Sequence, residues 1–206
     1  MKLQVAIDRV SLDRAEEMIE KLNGHADIIE VGTSLVKEFG ISQLNNLVKA
    51  SSSSEILADM KVSDEGAYEA ELACSTGFAY FTAMASASHS TLEACYDVAR
   101  KHSATLMLDL LECDDERIAQ MSDFENAVYC LHTSVDSGDT TNPAQQVRAF
   151  KARFPQIQHI AIAGGIKPEH VADLSAEGVE IVVMGSAITK ADDIAQACAD
   201  CKQLMH

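Results

Sequence analysis

The chain has 206 residues, with 16 Lys and Arg against 32 Asp and Glu, for a formal net charge of −16. Hydrophobic residues make up 47% and charged residues 23%, and three Pro and ten Gly fit neither a collagen-like nor a low-complexity chain. The acidic balance argues against sequence-independent nucleic-acid binding, which needs a basic footprint. It leaves room for a small phosphorylated ligand held in a local pocket.

The first residues, MKLQVAID, carry one Lys and a short apolar run that stops at Asp8. They lack the longer apolar stretch and small-residue cleavage site of a signal peptide, and no run reaches the roughly 20 apolar residues of a membrane span. A cytoplasmic protein with no membrane partner is expected. The six cysteines (Cys74, Cys95, Cys113, Cys130, Cys198, Cys201) are scattered and read as reduced thiols. Cys198 and Cys201 have CxxC spacing but no second Cys/His pair nearby, so they are expected to be small residues of a helix.

Apolar, β-branched runs occur at 3–7, 27–31, 56–60, 79–84, 105–110, 127–131, 159–163 and 180–184. Each is short and without clean alternation, as strands buried on both faces should be. Helical patterns lie between them. Ser11 caps the first, and others span 66–75, 90–102, 143–154, 167–176 and 191–205. Eight βα steps predict a single (β/α)8 TIM barrel over residues 1–206. An open doubly wound sheet is the competing arrangement, but the first βα turn, Ile7-Asp8-Arg9-Val10-Ser11, has no GxGxxG glycines.

In such a barrel the active site is built at the carboxyl ends of the strands. Charged residues gather there: Asp8 after strand 1, Glu30 in strand 2, Asp59, Lys61 and Asp64 after strand 3, Asp109 in strand 5 and His132 after strand 6. Residues two apart in a strand face the same way, so Asp59 and Lys61 are expected to project together with Met60 turned away. Asp59 would then hold Lys61 protonated, a state suited to stabilising an oxyanion. Asp64 would reach either the substrate or a neighbouring subunit. Glu30 and Asp59, on adjacent strands, suit a hard cation such as Mg²⁺; a structural ion-pair network is the alternative. His132 is a candidate proton shuttle, its alternative a structural histidine.

Strands 7 and 8 end in Ala163-Gly164-Gly165 and Met184-Gly185-Ser186. Small residues in these two loops let backbone N–H groups approach a phosphate without a basic side chain, as an acidic chain requires.

These segments (MKLQVAID, IIEVGTSLV, ADMKVSDEGAYEA, LHTSVD, IAGGIK and VMGSAIT) resemble the 3-hexulose-6-phosphate synthase family along nearly the whole chain. That family lies in the orotidine 5′-phosphate decarboxylase suprafamily, whose D-x-K-x-x-D stretch is matched by Asp59, Lys61 and Asp64. The resemblance implies a ribulose-phosphate-binding barrel that joins formaldehyde to D-ribulose 5-phosphate through an enediolate. It implies Mg²⁺ near Glu30 and Asp59, with Asp8 and Lys61 on the substrate and His132 as base or acid. It places the phosphate on Gly164, Gly165, Gly185 and Ser186. It further implies a homodimer in which Asp64 completes the partner's site.

A close relative, 3-keto-L-gulonate-6-phosphate decarboxylase, shares the enediolate and is the alternative activity; a non-catalytic sugar-phosphate-binding barrel is another. The decarboxylases resemble one another in an Arg that this chain replaces with Val135, which favours the synthase. Ser134 and Glu112 stand where the synthases usually have Gly, and decarboxylases carry an acidic residue in the Glu112 loop.

Overall fold

The computed structural model describes residues 1–134, 138 and 141–205. Eight parallel strands close into a barrel in sequence order. They are β1 (Lys2–Ile7), β2 (Ile28–Val31), β3 (Glu55–Val62), β4 (Tyr80–Met84), β5 (Thr105–Asp109), β6 (Val128–His132), β7 (Ile160–Ala163) and β8 (Ile181–Met184). All eight predicted strands are present, shifted by at most two residues at either end.

The helices are α1 (Leu12–Leu22), α2 (Thr33–Phe39), α3 (Asn45–Lys49), α4 (Gly66–Thr76), α5 (His89–His102), α6 (Asp115–Gln120), α7 (Pro143–Arg153), α8 (Val171–Ala176), α9 (Ser186–Thr189) and α10 (Ile194–Gln203). Helix α1 shows how sequence makes these elements. Ser11 caps it by accepting from the Arg14 N–H, and Ala15, Met18, Ile19 and Leu22 supply one buried stripe at helical spacing. The reading of the sequence missed α2, α3, α6 and α9, which have seven, five, six and four residues. Such pieces are too short for a 3.6-residue period to show. The segment predicted to be helical over 167–176 opens with a 3₁₀ turn at Pro168–His170, and α10 starts later than predicted because Asp193 is its cap.

The strands are buried on both faces, which explains their unbroken apolar runs. Outward residues such as Leu3, Val5, Ile29, Phe81, Leu106, Ile160 and Val182 pack under the helices. Inward residues Ile28, Leu57, Tyr80, Met107, Val128, Cys130, Ala161 and Ile181 fill the barrel as a second cluster. Burying each large side chain contributes roughly 1.5–3 kcal/mol. At the amino end, Lys2 Nζ lies 3.0 Å from the Tyr80 hydroxyl and 3.3 Å from Glu55 Oε2, closing the floor with polar groups. Cys198 and Cys201 are buried on α10, where burial pushes the Cys198 thiol up to about 12; a packing role, as expected, accounts for them. No helix among the described residues is long and apolar enough to cross a membrane.

Candidate active site

The apolar filling stops one layer below the carboxyl ends of the strands. Above it the inward positions carry Glu30, Asp59, Thr82 and Asp109, all buried, with Lys61 and His132 half-buried beside them. Buried charges persist only where they are paired and hydrogen-bonded, and here they form a connected set.

Lys61 is its centre. Its Nζ lies 3.0 and 3.1 Å from the two Asp59 oxygens and 2.7 Å from Asp109 Oδ2. Burial alone would lower the Lys61 pKa, but Asp59 and then Asp109 outweigh it and hold the ammonium protonated well above its usual range. Asp109 in turn accepts from His132 Nδ1, at 3.0 Å to each oxygen. Burial pushes Asp109 up, yet the His132 hydrogen bond and the Lys61 charge prevail and hold it at about 2. In a neutral ring, a proton on Nδ1 toward Asp109 would leave His132 Nε2 as an acceptor. Asp109 therefore couples the two groups the sequence singled out as cation and proton shuttle. The sequence showed it as a strand-end charge without a role; its position in β5 between β4 and β6 was the available signal.

Asp59 and Lys61 do project together, but not through flat-strand alternation. Between β3 and β4 the register passes from Ala58↔Phe81 to Val62↔Ala83, so β3 advances four residues while β4 advances two. Lys61 sits in this bulge with φ 49°, in the left-handed region. The expectation from alternation reached the right contact by the wrong geometry.

Glu30 faces Leu57 across the β2–β3 ladder, one layer below Asp59. Its Oε2 accepts from Gln4 Nε2 at 2.6 Å. Burial, and after it the Asp59 carboxylate, raise Glu30 to about 8. Asp8 is exposed at the rim and accepts from the Ser34 hydroxyl at 2.7 Å. It lies against Gly32, where any Cβ would overlap its carboxyl group. Asp64 is exposed in the loop before α4 and accepts from the neighbouring Glu65 N–H; among the described residues it makes no hydrogen bond or ion pair with the Lys61 cluster of its own chain.

Across the mouth, the turns after β7 and β8 have no charged side chain at their tips. Gly164 has φ 97° and Gly165 φ 65°. A Cβ on Gly164 would overlap the Thr133 carbonyl oxygen, whereas one on Gly165 would meet nothing within 4 Å. Gly185 precedes α9, which starts at Ser186, and an added Cβ there would meet only Ala6 O at 3.8 Å. A cavity of about 490 Å³ adjoins His132 on the β5–β6 flank, walled by Leu110, Ile118, Leu131 and Phe150, and reaches Thr133, against which Gly164 packs. Glu112 is exposed at φ 56° and makes no hydrogen bond or ion pair among the described residues. Val135 lies outside the described residues.

The model of the orotidine 5′-phosphate decarboxylase / HUMPS family matches residues 1–201. The chain belongs to that family. Among its curated relatives, the 3-hexulose-6-phosphate synthase of Staphylococcus haemolyticus is 32% identical over all of this chain and 99% of its own. A crystal structure of 3-hexulose-6-phosphate synthase superimposes with a TM-score of 0.90 at 31% identity, covering 100% of both chains. The 3-keto-L-gulonate-6-phosphate decarboxylase of Streptococcus mutans, solved as a ligand complex, shares the fold at TM-score 0.89 over 99% of this chain and 96% of its own, at 22% identity. The expected resemblance to the synthases is borne out over the full length.

Within the family frame, the Glu30 region fits a hard divalent cation. The donor set is oxygen only, and Asp59 and Asp8 both press negative charge on Glu30. Burial is the larger cause of the raised Glu30 pKa, and among the described residues its hydrogen-bond partner is the neutral Gln4 amide. A cation bound by two carboxylates would leave its other positions to water and substrate oxygens, in keeping with Mg²⁺. No group of three or more His, Cys, Asp or Glu among the described residues could hold a metal ion.

Proposed function

We propose that the protein is a 3-hexulose-6-phosphate synthase, joining formaldehyde to D-ribulose 5-phosphate to give D-arabino-hex-3-ulose 6-phosphate, and running the reverse. The observation that carries this reading is the continuous Asp59–Lys61–Asp109–His132 set at the barrel mouth, in a chain whose full-length relatives bear that name.

The sugar phosphate's anionic end rests on the N–H groups of Gly164, Gly165, Gly185 and Ser186, where small residues leave space. Its carbonyl end then faces the charged arc. His132 Nε2 takes a proton from C1, next to the C2 carbonyl, and Asp109 stabilises the imidazolium that results. The Lys61 ammonium faces the negative charge that develops on the enediolate oxygen. C1 of the enediolate attacks the formaldehyde carbon, the C2 carbonyl re-forms, and the formaldehyde oxygen takes the proton back from His132 as the new hydroxyl. Asp8 orients a substrate hydroxyl from the rim. Glu30 and Asp59 are the residues that would hold Mg²⁺, which would supply Lewis-acid polarisation of a carbonyl and offset the charge of these carboxylates.

Asp64 completes the site of a second copy in a homodimer. Its lack of any bond to its own chain's cluster among the described residues supports this, as does Tyr68, 63% exposed in the first turn of α4. Mixed Asp64→Ala and Lys61→Ala subunits, each inactive alone, regain partial activity if the sites are shared; no regain would remove this part of the reading. The decarboxylase is not favoured, since the decarboxylase compared above is 22% identical against 31–32% for the synthases.

The assay that tests the reading follows formaldehyde loss in the presence of ribulose 5-phosphate, with Mg²⁺ and with EDTA. Loss that needs both sugar phosphate and metal is expected. Carbon dioxide release from 3-keto-L-gulonate 6-phosphate, faster than formaldehyde loss, would replace this reading with the decarboxylase. Tight binding of ribulose 5-phosphate without turnover of either substrate would leave only a binding barrel.

A further inference from the structure

The bulge that presents Lys61 has a cost that one side chain offsets. In an unbroken β3 the N–H groups of odd-numbered residues turn toward β2, as that of Glu55 does in donating to Asp27 O, so the Lys61 N–H would not face β4. The bulge between Ala58 and Val62 turns that N–H to the β4 side, outside the regular ladder, and a buried N–H without an acceptor costs about 1–3 kcal/mol. Thr82, 5% exposed in the middle of β4, supplies the acceptor: the Lys61 N–H donates to its Oγ1 at 2.9 Å. The same hydroxyl has one proton to give, and donates it to Asp59 Oδ1 at 2.7 Å. Thr33, at the start of α2, donates to the opposite oxygen, Asp59 Oδ2.

We infer that Thr82 is a positioning residue for the reaction, tying the Lys61 backbone and the Asp59 carboxylate into one unit through a single hydroxyl. This rests on the catalytic roles given above to Lys61 and Asp59. By accepting from Lys61 it holds the left-handed conformation at φ 49° that a β-region lysine would not adopt. By donating to Asp59 it fixes the plane of the carboxylate that meets the Lys61 ammonium. Lose the hydroxyl, and the bulge has one fewer reason to stay left-handed, while Asp59 loses one of its two hydroxyl anchors. The ammonium then leaves its place opposite the developing charge, where a displacement of about 1 Å can cost roughly a hundredfold in rate.

Two substitutions test this against a merely structural role. Thr82→Val keeps the branched shape and removes the hydroxyl; Thr82→Ser keeps the hydroxyl and removes the methyl. Thr82→Val is expected to lower kcat about 10- to 100-fold, with a much smaller change in the KM for ribulose 5-phosphate, whose phosphate is held across the mouth. Thr82→Ser is expected to recover most of that loss. In a Lys61→Ala background, Thr82→Val should cost nothing further, because it acts through Lys61. Hydrogen exchange at the Lys61 amide gives a readout that needs no turnover: faster in Thr82→Val, near wild type in Thr82→Ser. If Thr82→Val does not fold, Thr82→Ala takes its place in every comparison. The inference is overturned if the variant without the hydroxyl keeps wild-type kcat, if serine fails as badly as valine, or if Lys61 amide exchange is unchanged. A wild-type protein that consumes no formaldehyde would instead refute the proposed activity, and amide exchange would still show whether Thr82 holds the bulge.

Discussion

The mouth of the barrel is built in two ways. On the β2–β6 arc the chemistry is carried by side chains: Glu30, Asp59, Lys61, Asp109 and His132, mostly buried and bonded to one another. On the β7–β8 arc it is carried by the backbone, with glycines at positive φ or with open space where a Cβ would stand. In the proposed reaction the first arc would place fixed charge at reacting atoms and the second would hold an anion with N–H groups, a way for a chain of net charge −16 to accommodate a phosphate. Changes on the side-chain arc should therefore act on kcat, and changes on the glycine arc on KM.

Lys61→Ala should have the largest effect. It removes the cation opposite the developing oxyanion, worth about 10²–10³-fold in kcat. It also leaves Asp59 and Asp109 as neighbouring buried carboxylates, a loss of about 3–5 kcal/mol of stability that urea denaturation would measure. Next comes Asp109→Asn, which frees the His132 ring and weakens its imidazolium, for roughly a hundredfold loss of kcat. Asp109 also gives a pH signature. Its folded pKa of about 2 lies below the ordinary unfolded value, so its stabilisation is fully present above about pH 4 and is lost as pH falls through 2. The stability gap between wild type and Asp109→Asn should narrow by roughly 2 kcal/mol between pH 5 and pH 2; a constant gap would contradict the assignment.

The two arcs also differ in how far the sequence discloses them. Charged strand ends stand out in a list of apolar runs, so Glu30, Asp59, Lys61 and His132 could be placed at the mouth before any coordinates. The glycines after β7 and β8 stand out because they fall in the two loops where such barrels build a phosphate site. What stayed hidden was relational. Asp109 as the bridge, the Lys61 bulge and the Thr82 hydroxyl beneath it depend on the register between neighbouring strands, which no single strand encodes. The short helices α2, α3, α6 and α9 were hidden because four to seven residues carry too few periods to register.

The glycine arc offers smaller, graded effects. Gly164→Ala forces a Cβ onto the Thr133 carbonyl at φ 97° and should cost about 1–3 kcal/mol, with a raised KM for the sugar phosphate and kcat largely kept. Gly165→Ala, at φ 65° with open space around it, should cost about 1 kcal/mol and move KM less. Equal effects at the two positions would mean that the close approach to Thr133 does not matter. The smallest change is expected at Glu112, whose left-handed conformation serves no contact among the described residues. Glu112→Gly should stabilise the protein by up to about 1 kcal/mol and leave the synthase rate unchanged. A loss of rate would show that Glu112 takes part after all.

The central claim is that the side-chain arc makes an enediolate from ribulose 5-phosphate before any second substrate arrives. Incubating the wild-type protein with ribulose 5-phosphate and Mg²⁺ in D₂O, without formaldehyde, and following the C1 proton signal by NMR measures that step alone. The account predicts enzyme-dependent replacement of one C1 proton by deuterium, abolished in Lys61→Ala and strongly slowed in Asp109→Asn. A C1 signal that persists with the wild-type protein present, under conditions where formaldehyde is consumed, would contradict it.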